Sequence, residues 1–360
     1  MAAWFEKNIL AIKLFFLVAG SIAGAAFLLA VGVTAVFVAL DDGGRPPEPA
    51  YVEFTPTFED DEYYIAIPEP EEVEDTIAAR TTFILVGLDN QQLADAIMVG
   101  TFYRDNGMIH LMSIPRDMIV RIPPHRLERM RADGIHPPRT LKVNEMRSHG
   151  GQVHGIYYLM EQLGEMFGIA FDFYVEVELA AFRRIVDAIG GVYMNIPRRL
   201  WYESLDQRPP LRINVPAGEN VLLDGNMAEG VVRYRQWPMG DLQRNQMQME
   251  FMTQLIRQAA TRDALLYNPM ELISIATENV RTNLGLAAVT FIPYIPRVGL
   301  DSVQTFTMPG TLGFVERREY FIPNTAELPG TIADIFFAVF EDETEPDEED
   351  EGENEAEETE

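Results

Sequence analysis

The sequence predicts an α/β fold, a sheet covered by helices on both faces, behind a single membrane span. Three observations predict it. Short apolar runs such as TFILVGL, IMVGTFY and MIHLMSIP alternate with longer, helix-patterned runs such as GIYYLMEQLGEMFG and LAAFRRIVDAIGG. A hydrophobic content of 47% over 360 residues is enough for a substantial core. Ahead of the alternation stands a 27-residue uncharged run, Leu14 to Leu40.

Taken in order, residues 1–13 carry Lys7 and Lys13, and residues 14–40 exceed the roughly 20 apolar residues that cross a bilayer. A cleaved signal peptide would have a shorter apolar core, of about 7–15 residues, ending in a small-residue cleavage motif. A transmembrane helix is therefore expected at 14–40. Asp41 and Asp42 follow it, so the positive-inside tendency puts the N-terminus in the cytoplasm and the main domain outside the cell membrane. Residues 41–80 hold 13 acidic and 2 basic side chains among scattered prolines, and read as an extended acidic linker. Residues 81–340 form the expected folded body. Residues 341–360 hold 14 acidic side chains and none basic, and read as a disordered tail.

Within the body, Thr82 to Leu88 reads as a strand with Asp89 just past its end and Asp95 before the next run. Met108 to Ile114 reads as another strand, closed by Pro115 and followed by Arg116 and Asp117. A glycine-bounded helix, a strand, a second helix and the Gly190–Gly191 pair come next. Val231 to Tyr234 reads as a short β run, which would put Arg233 and Arg235 on one strand face. Asp241 then caps a helix on which Arg244 and Gln248, four apart, share a face.

The charge narrows the function. The net charge of −28 belongs to the flanks, because residues 81–340 hold 24 basic against 28 acidic side chains. No nucleic-acid partner is expected of such a body. Of those 24 cations 23 are arginine, whose planar fork matches phosphate or carboxylate oxygens in pairs, although genomic base composition produces the same bias. With no cysteine, disulfides, thiolate metal sites and a cysteine nucleophile are excluded.

Candidate chemistry sits at strand ends, where α/β folds gather ligands. Asp89 and Asp95 on one loop can hold a magnesium ion whose shell is completed by water and phosphate oxygens, or can serve as turn-forming aspartates. Arg116 and Asp117 can close a turn as an ion pair. His149 and His154, five apart, suit a helix start better than a metal. No phosphate-loop or dinucleotide fingerprint and no G-x-S-x-G elbow is present.

The motifs in order are GLD…ADAIM, SIPRD, KVNEM…GG, DFYVEVELAAFRRIVDAIGGVYMNIP, PAGENVLLDGNMAEGVVRYRQWPMGDLQR and a late TMPG. This order resembles the LytR-CpsA-Psr family, from about Thr81 to Phe340. The resemblance implies an extracytoplasmic α/β/α sandwich with a central mixed sheet that binds a polyprenyl-pyrophosphate-linked glycan. It implies phosphotransferase activity: the glycan-phosphate moves to a peptidoglycan hydroxyl, as in attachment of wall teichoic acid, capsule or arabinogalactan, with Mg²⁺ as cofactor. Carried over by position, Asp89 and Asp95 match the metal ligands, Arg116 matches the SIPRD arginine and is expected to bind the pyrophosphate, and Arg116, Arg233, Arg235 and Asp241 are the expected catalytic residues. Arg233, Arg235, Arg244 and Gln248 match positions around the pyrophosphate. Asp241 or Asp95 is the candidate general base. Phe167, Phe171, Phe173 and Phe182 are candidates for an apolar groove. The Asp89 to Asp95 loop is shorter than is usual and lacks an arginine common there, Trp237 replaces a frequent Asp, and Met247 a frequent arginine. Two other functions fit these departures: a non-catalytic envelope-glycan binding or regulatory protein, and a polyprenyl-pyrophosphate hydrolase.

Overall fold

The computed structural model describes residues 80–89, 92–206, 210–259, 269–284, 287, 290, 291, 293, 294, 297–299 and 301–340. The expected cytoplasmic segment, the span at 14–40, nearly all of the linker and the acidic tail lie outside the described residues. Among the described residues no helix is long and apolar enough to cross a membrane.

The chain opens on an antiparallel meander of β1 (Arg80–Leu88), β2 (Ala94–Tyr103) and β3 (Ile109–Ile114), in which Ile84 faces Val99 and Val99 faces Met112. β4 (Ile119–Arg121) pairs with β5 (Thr140–Lys142) around α1 (Pro124–Ala132). Two helices follow, α2 (Val143–His149) and α3 (Gly151–Phe167). α3 stops at Gly168, whose φ of 66° is the left-handed conformation that glycine adopts without steric cost. β6 (Phe173–Glu178) then returns parallel to β1, with Leu85 opposite Val175, and leads into α4 (Leu179–Ala188).

Four short strands form two side ribbons, hereafter the side hairpins: β7 (Val192–Ile196) pairs antiparallel with β10 (Gly218–Leu223), and between them in sequence β8 (Leu200–Ser204) pairs with β9 (Leu211–Val215) as a hairpin proper. After them come α5 (Gly225–Arg233), α6 (Asp241–Ala259) and α7 (Pro269–Asn279). β11 (Val280–Thr282) and β12 (Val303–Thr307) complete the main sheet, and β13 (Gly310–Val315), β14 (Arg318–Pro323) and α8 (Leu328–Phe336) close the described chain. The main sheet runs β11-β6-β1-β2-β3-β12, mixed parallel and antiparallel.

Successive residues of β1 point to opposite faces of the sheet, and each face finds a different partner. Ile84, Val86 and Leu88 join Met112, Met146, Leu163 and Phe167 in a core under α1, α2, α3 and α8. Leu85 joins Met98, Val175, Met249 and Ile256 on the side of α6. A third cluster, with Phe251, Val231 and Ile213, binds α4, α5 and α6 to the side hairpins. Both faces are covered, so the α/β/α expectation holds for the sheet and its flanking helices.

The reading of Val231 to Tyr234 as a strand is corrected: Val231 to Arg233 are the last turn of α5, and only Tyr234 is extended. The helix is nucleated upstream, where the Asp224 carboxylate accepts the Met227 N–H at 2.8 Å as its N-cap. Met227, Ala228, Val231 and Val232 then recur at helical spacing and pack on the third cluster, which outweighs the β preference of two adjacent valines. Arg233 and Arg235 therefore do not share a strand face. Arg233 ends a helix and Arg235 stands in the loop after it.

Candidate functional site

On the α6 side of the sheet the packing is incomplete. A cavity of about 740 Å³ opens there, floored by Leu85, Gly87, Met98, Val175 and Val177 of β1, β2 and β6. Phe182 and Ile185 of α4 and Phe251, Met252 and Leu255 of α6 form its apolar walls, and Tyr202 and Leu211 of the β8–β9 hairpin add a third side. Its polar lining is Asp89, Asp95, Asp206, Arg233, Arg235, Gln236, Arg244 and Gln248. A largely apolar space with arginines and carboxylates in its lining suits an amphiphile that has a phosphate head.

Each polar residue is placed by a local device. Asp89 follows β1, its N–H bonds to Leu93 O at 3.0 Å, and its carboxylate accepts the Leu93 N–H at 2.9 Å, so it also serves as the turn-forming aspartate. Asp95 is the second residue of β2. Its Oδ1 accepts from Arg116 at 2.6 Å and its Oδ2 lies 3.3 Å from Arg235 Nη2. Arg116 is placed just after β3 by Pro115 and reaches the site through Asp95, since it is not itself among the cavity-lining residues. The turn-closing pair anticipated between Arg116 and Asp117 is loose, at 3.9 Å, and Asp117 instead binds Lys142 at 2.9 Å.

Arg233 donates to Glu229 Oε1 at 2.7 Å, one turn back on α5, and the other oxygen of Glu229 binds Arg183 of α4. Arg244 and Gln248, one turn apart on α6 as expected, are both buried and both line the cavity. Gln248 Nε2 donates to the C-terminal carbonyl of Val232 at 2.9 Å, tying α6 to α5. Asp241 begins α6, one residue earlier than expected, and its side chain lies outside the described residues.

Of the four phenylalanines singled out for an apolar groove, only Phe182 lines the cavity. Phe167 is fully buried in the opposite core, Phe171 packs on Phe336, and Phe173 packs on Phe291. Phe173 shares the β6 face of Val175 and Val177 but packs on Phe291 at the start of the strand, whereas Phe167 on α3 and Phe171 in the loop after it join the opposite core. His149 ends α2 and His154 stacks near Tyr158 on α3, away from the cavity. Trp237 is 5% exposed and packs edge-on against Tyr234 at 5.2 Å. Sequence reasoning missed Glu229, whose i,i+4 pairing with Arg233 was hidden by the strand reading of that segment, and also Arg183, which binds Glu229, and Tyr202, because pairing between helices and hairpin placement have no local signal.

The match to the LytR_cpsA_psr family model runs over residues 55–333. The chain belongs to the LytR_cpsA_psr family. Among relatives, the polyisoprenyl-teichoic acid–peptidoglycan teichoic acid transferase TagT of Bacillus subtilis is 25% identical over 238 residues, 63% of this chain and 67% of TagT. The probable cell wall biosynthesis protein LcpB of Corynebacterium glutamicum is 29% identical over 223 residues, 57% of this chain and 48% of LcpB. An uncharacterised Staphylococcus aureus protein is 27% identical over 237 residues, 65% of this chain and 53% of its own length, so the chain spans about half to two thirds of these relatives. A solved structure of TagT bound to LIIa-WTA superposes with a TM-score of 0.55 at 24% identity, covering 76% of this chain and 99% of that one, and shows the family's fold here.

Proposed function

We propose that this protein transfers a glycan-phosphate from a polyprenyl-pyrophosphate carrier to a hydroxyl of peptidoglycan, at the outer face of the cell membrane. The observation that carries the reading is the cavity itself, whose lining combines apolar side chains with a set of arginines and carboxylates. The apolar walls take the polyprenyl chain. Arg233, Arg235 and Arg244 meet the pyrophosphate, and Gln248 fixes the α5–α6 junction that presents them. Arg116 orients Asp95. The names of the relatives, a teichoic acid transferase among them, support the same reaction class.

In the transfer, the acceptor hydroxyl oxygen forms a bond to the phosphorus that bears the glycan. The bond from that phosphorus to the bridging oxygen breaks, and polyprenyl phosphate leaves with the electron pair. The hydroxyl proton passes to a carboxylate, Asp95 or Asp241. Convergent guanidinium groups stabilise the charge that gathers on the phosphoryl oxygens and on the leaving phosphate.

Asp89 and Asp95 would hold Mg²⁺. Among the described residues no cluster of three or more His, Asp or Glu side chains is arranged as a metal site. Two carboxylates in the lining of the same cavity as Arg233, Arg235 and Arg244 suit magnesium nevertheless, because the ion keeps several waters and takes the rest of its shell from the substrate. When bound it neutralises pyrophosphate charge.

The test is transfer of labelled glycan-phosphate to peptidoglycan by the full chain in detergent, with and without Mg²⁺, for wild type, Asp89→Asn and Asp241→Asn. The proposal expects loss of transfer in both variants and without the ion. Release of free glycan-phosphate with no acceptor product would identify a hydrolase. Tight donor binding without turnover in the wild type would identify a binding protein.

A further inference from the structure

Across the sheet from the cavity lies a charged group that the proposed reaction does not use. Glu176 of β6 is 2% exposed, and its Oε1 accepts from Arg147 Nε of α2 at 2.7 Å. Arg147 is 1% exposed. Arg281 of β11 lies 3.1 Å from Glu176 Oε2 on the other side. Burying the Arg147–Glu176 pair is costly to desolvate, Arg281 being one-third exposed, and apolar residues of similar volume usually pack at least as well. The cluster therefore invites a reason beyond stability.

That reason is supplied by the remaining fork of Arg147. Its Nη1 points to the carbonyl of Gln92 at 3.4 Å, in the connection that leads from Asp89 into β2, whose second residue is Asp95. Gln92 holds φ at 63°, a left-handed conformation rare for residues other than glycine, asparagine and aspartate, which persists only where surrounding contacts impose it. Its N–H bonds to Asp89 O at 3.0 Å, and its side-chain amide reaches Glu178 Oε1 at 3.3 Å. The β1–β2 register also shifts at Gly87/Leu88, immediately before Asp89. The turn is thus set from the far side of the sheet.

We infer that Arg147, held by Glu176, is a positioning residue for the Asp89 to Asp95 connection and sets the separation of the two carboxylates. The inference rests on the reading of that pair as the magnesium site. A lysine in its place keeps the charge beside Glu176 but has no planar fork to bind Glu176 and the Gln92 carbonyl together.

The test is calorimetric titration of MgCl₂ into the full chain in detergent, alongside melting temperatures without the ion. For Arg147→Lys the expected result is about tenfold or greater weakening of Mg²⁺ binding, the scale typical of residues that orient metal ligands. Arg281→Lys perturbs the same carboxylate without touching the turn, so it should leave Mg²⁺ affinity at the wild-type value whatever its melting temperature. If Arg147→Lys does not fold, Arg147→Met with Glu176→Gln removes the clamp without leaving a bare buried carboxylate, and the same weakening is expected. Wild-type affinity in the Arg147 variants, or equal weakening in Arg281→Lys, overturns the inference. If Asp89→Asn also binds Mg²⁺ like wild type, it is the metal assignment that fails.

Discussion

The two faces of the central sheet are built from alternate residues of the same strands, yet one is sealed and the other left open. Beneath it Ile84 and Val86 meet Met112, Leu163 and Phe167 in a continuous core, where Phe167 is fully buried. Above it Leu85, Met98 and Val177 border about 740 Å³ of space. Unfilled apolar volume forgoes dispersion contacts and costs stability. A chain that packs one face fully and withholds side chains from the other keeps that space for a ligand, and the arginines in its lining say which kind.

The largest expected effect contrasts two phenylalanines. Phe167→Ala on the sealed face should lower stability by about 3–5 kcal/mol, read by denaturant unfolding, without altering donor affinity per folded molecule. Phe182→Ala on the open face should cost less than about 2 kcal/mol, since that ring is only partly buried, and should weaken polyprenyl-phosphate binding at least tenfold. Similar stability losses with unchanged binding in both would erase the distinction between the faces.

Next come the arginines. Arg233→Ala and Arg235→Ala should each cost about 1.5–3 kcal/mol of donor binding or transition-state stabilisation, a roughly ten- to hundredfold loss, with lysine restoring only part. Arg235, half exposed, should do so with stability changed by less than about 0.5 kcal/mol. Arg233 should also lower stability slightly, because its loss leaves the largely buried Glu229 with Arg183 alone.

This contrast was partly legible in the residues. The alternation of apolar runs marked the α/β class, and Arg244 with Gln248 were placed together correctly because helical spacing is local. The strand expectation at Val231 to Tyr234 failed because valine propensity was weighed without the Asp224 cap seven residues earlier. Phe182 could not be separated from Phe167, Phe171 and Phe173, since which face a ring meets depends on partners far along the chain. The ties of Arg116 to Asp95 and of Arg147 to Gln92 span 21 and 55 residues, and no spacing rule reports them.

A smaller effect follows from filling rather than emptying. Val177→Phe on the open face should block the donor while changing stability by less than about 1 kcal/mol, whereas Val99→Phe on the sealed face should cost about 1–3 kcal/mol through overpacking. Equal destabilisation by unfolding measurements would mean that the open face is not open in solution.

The smallest effect concerns His110 on β3. Burial among Tyr103, Phe306 and Phe340 pushes its imidazole below the ordinary value, against the opposing bond from Nδ1–H to the Asp334 carbonyl at 2.8 Å. The folded state therefore binds the proton less readily than the unfolded chain. The stabilisation is complete above the ordinary histidine value of about 6.5 and is lost as pH falls from there towards the folded value. His110→Phe should flatten that part of the stability profile, measured by melting temperature against pH, without changing transfer.

The most direct test of the central claim is the lipid that stays with the full chain when it is extracted from its membrane in mild detergent, identified by mass spectrometry. The account predicts a polyprenyl phosphate or pyrophosphate, with or without glycan, bound to the wild type and lost from Val177→Phe and from Arg235→Ala. Retention of that lipid by both variants, or a wild type that carries only bulk membrane phospholipid, would contradict it.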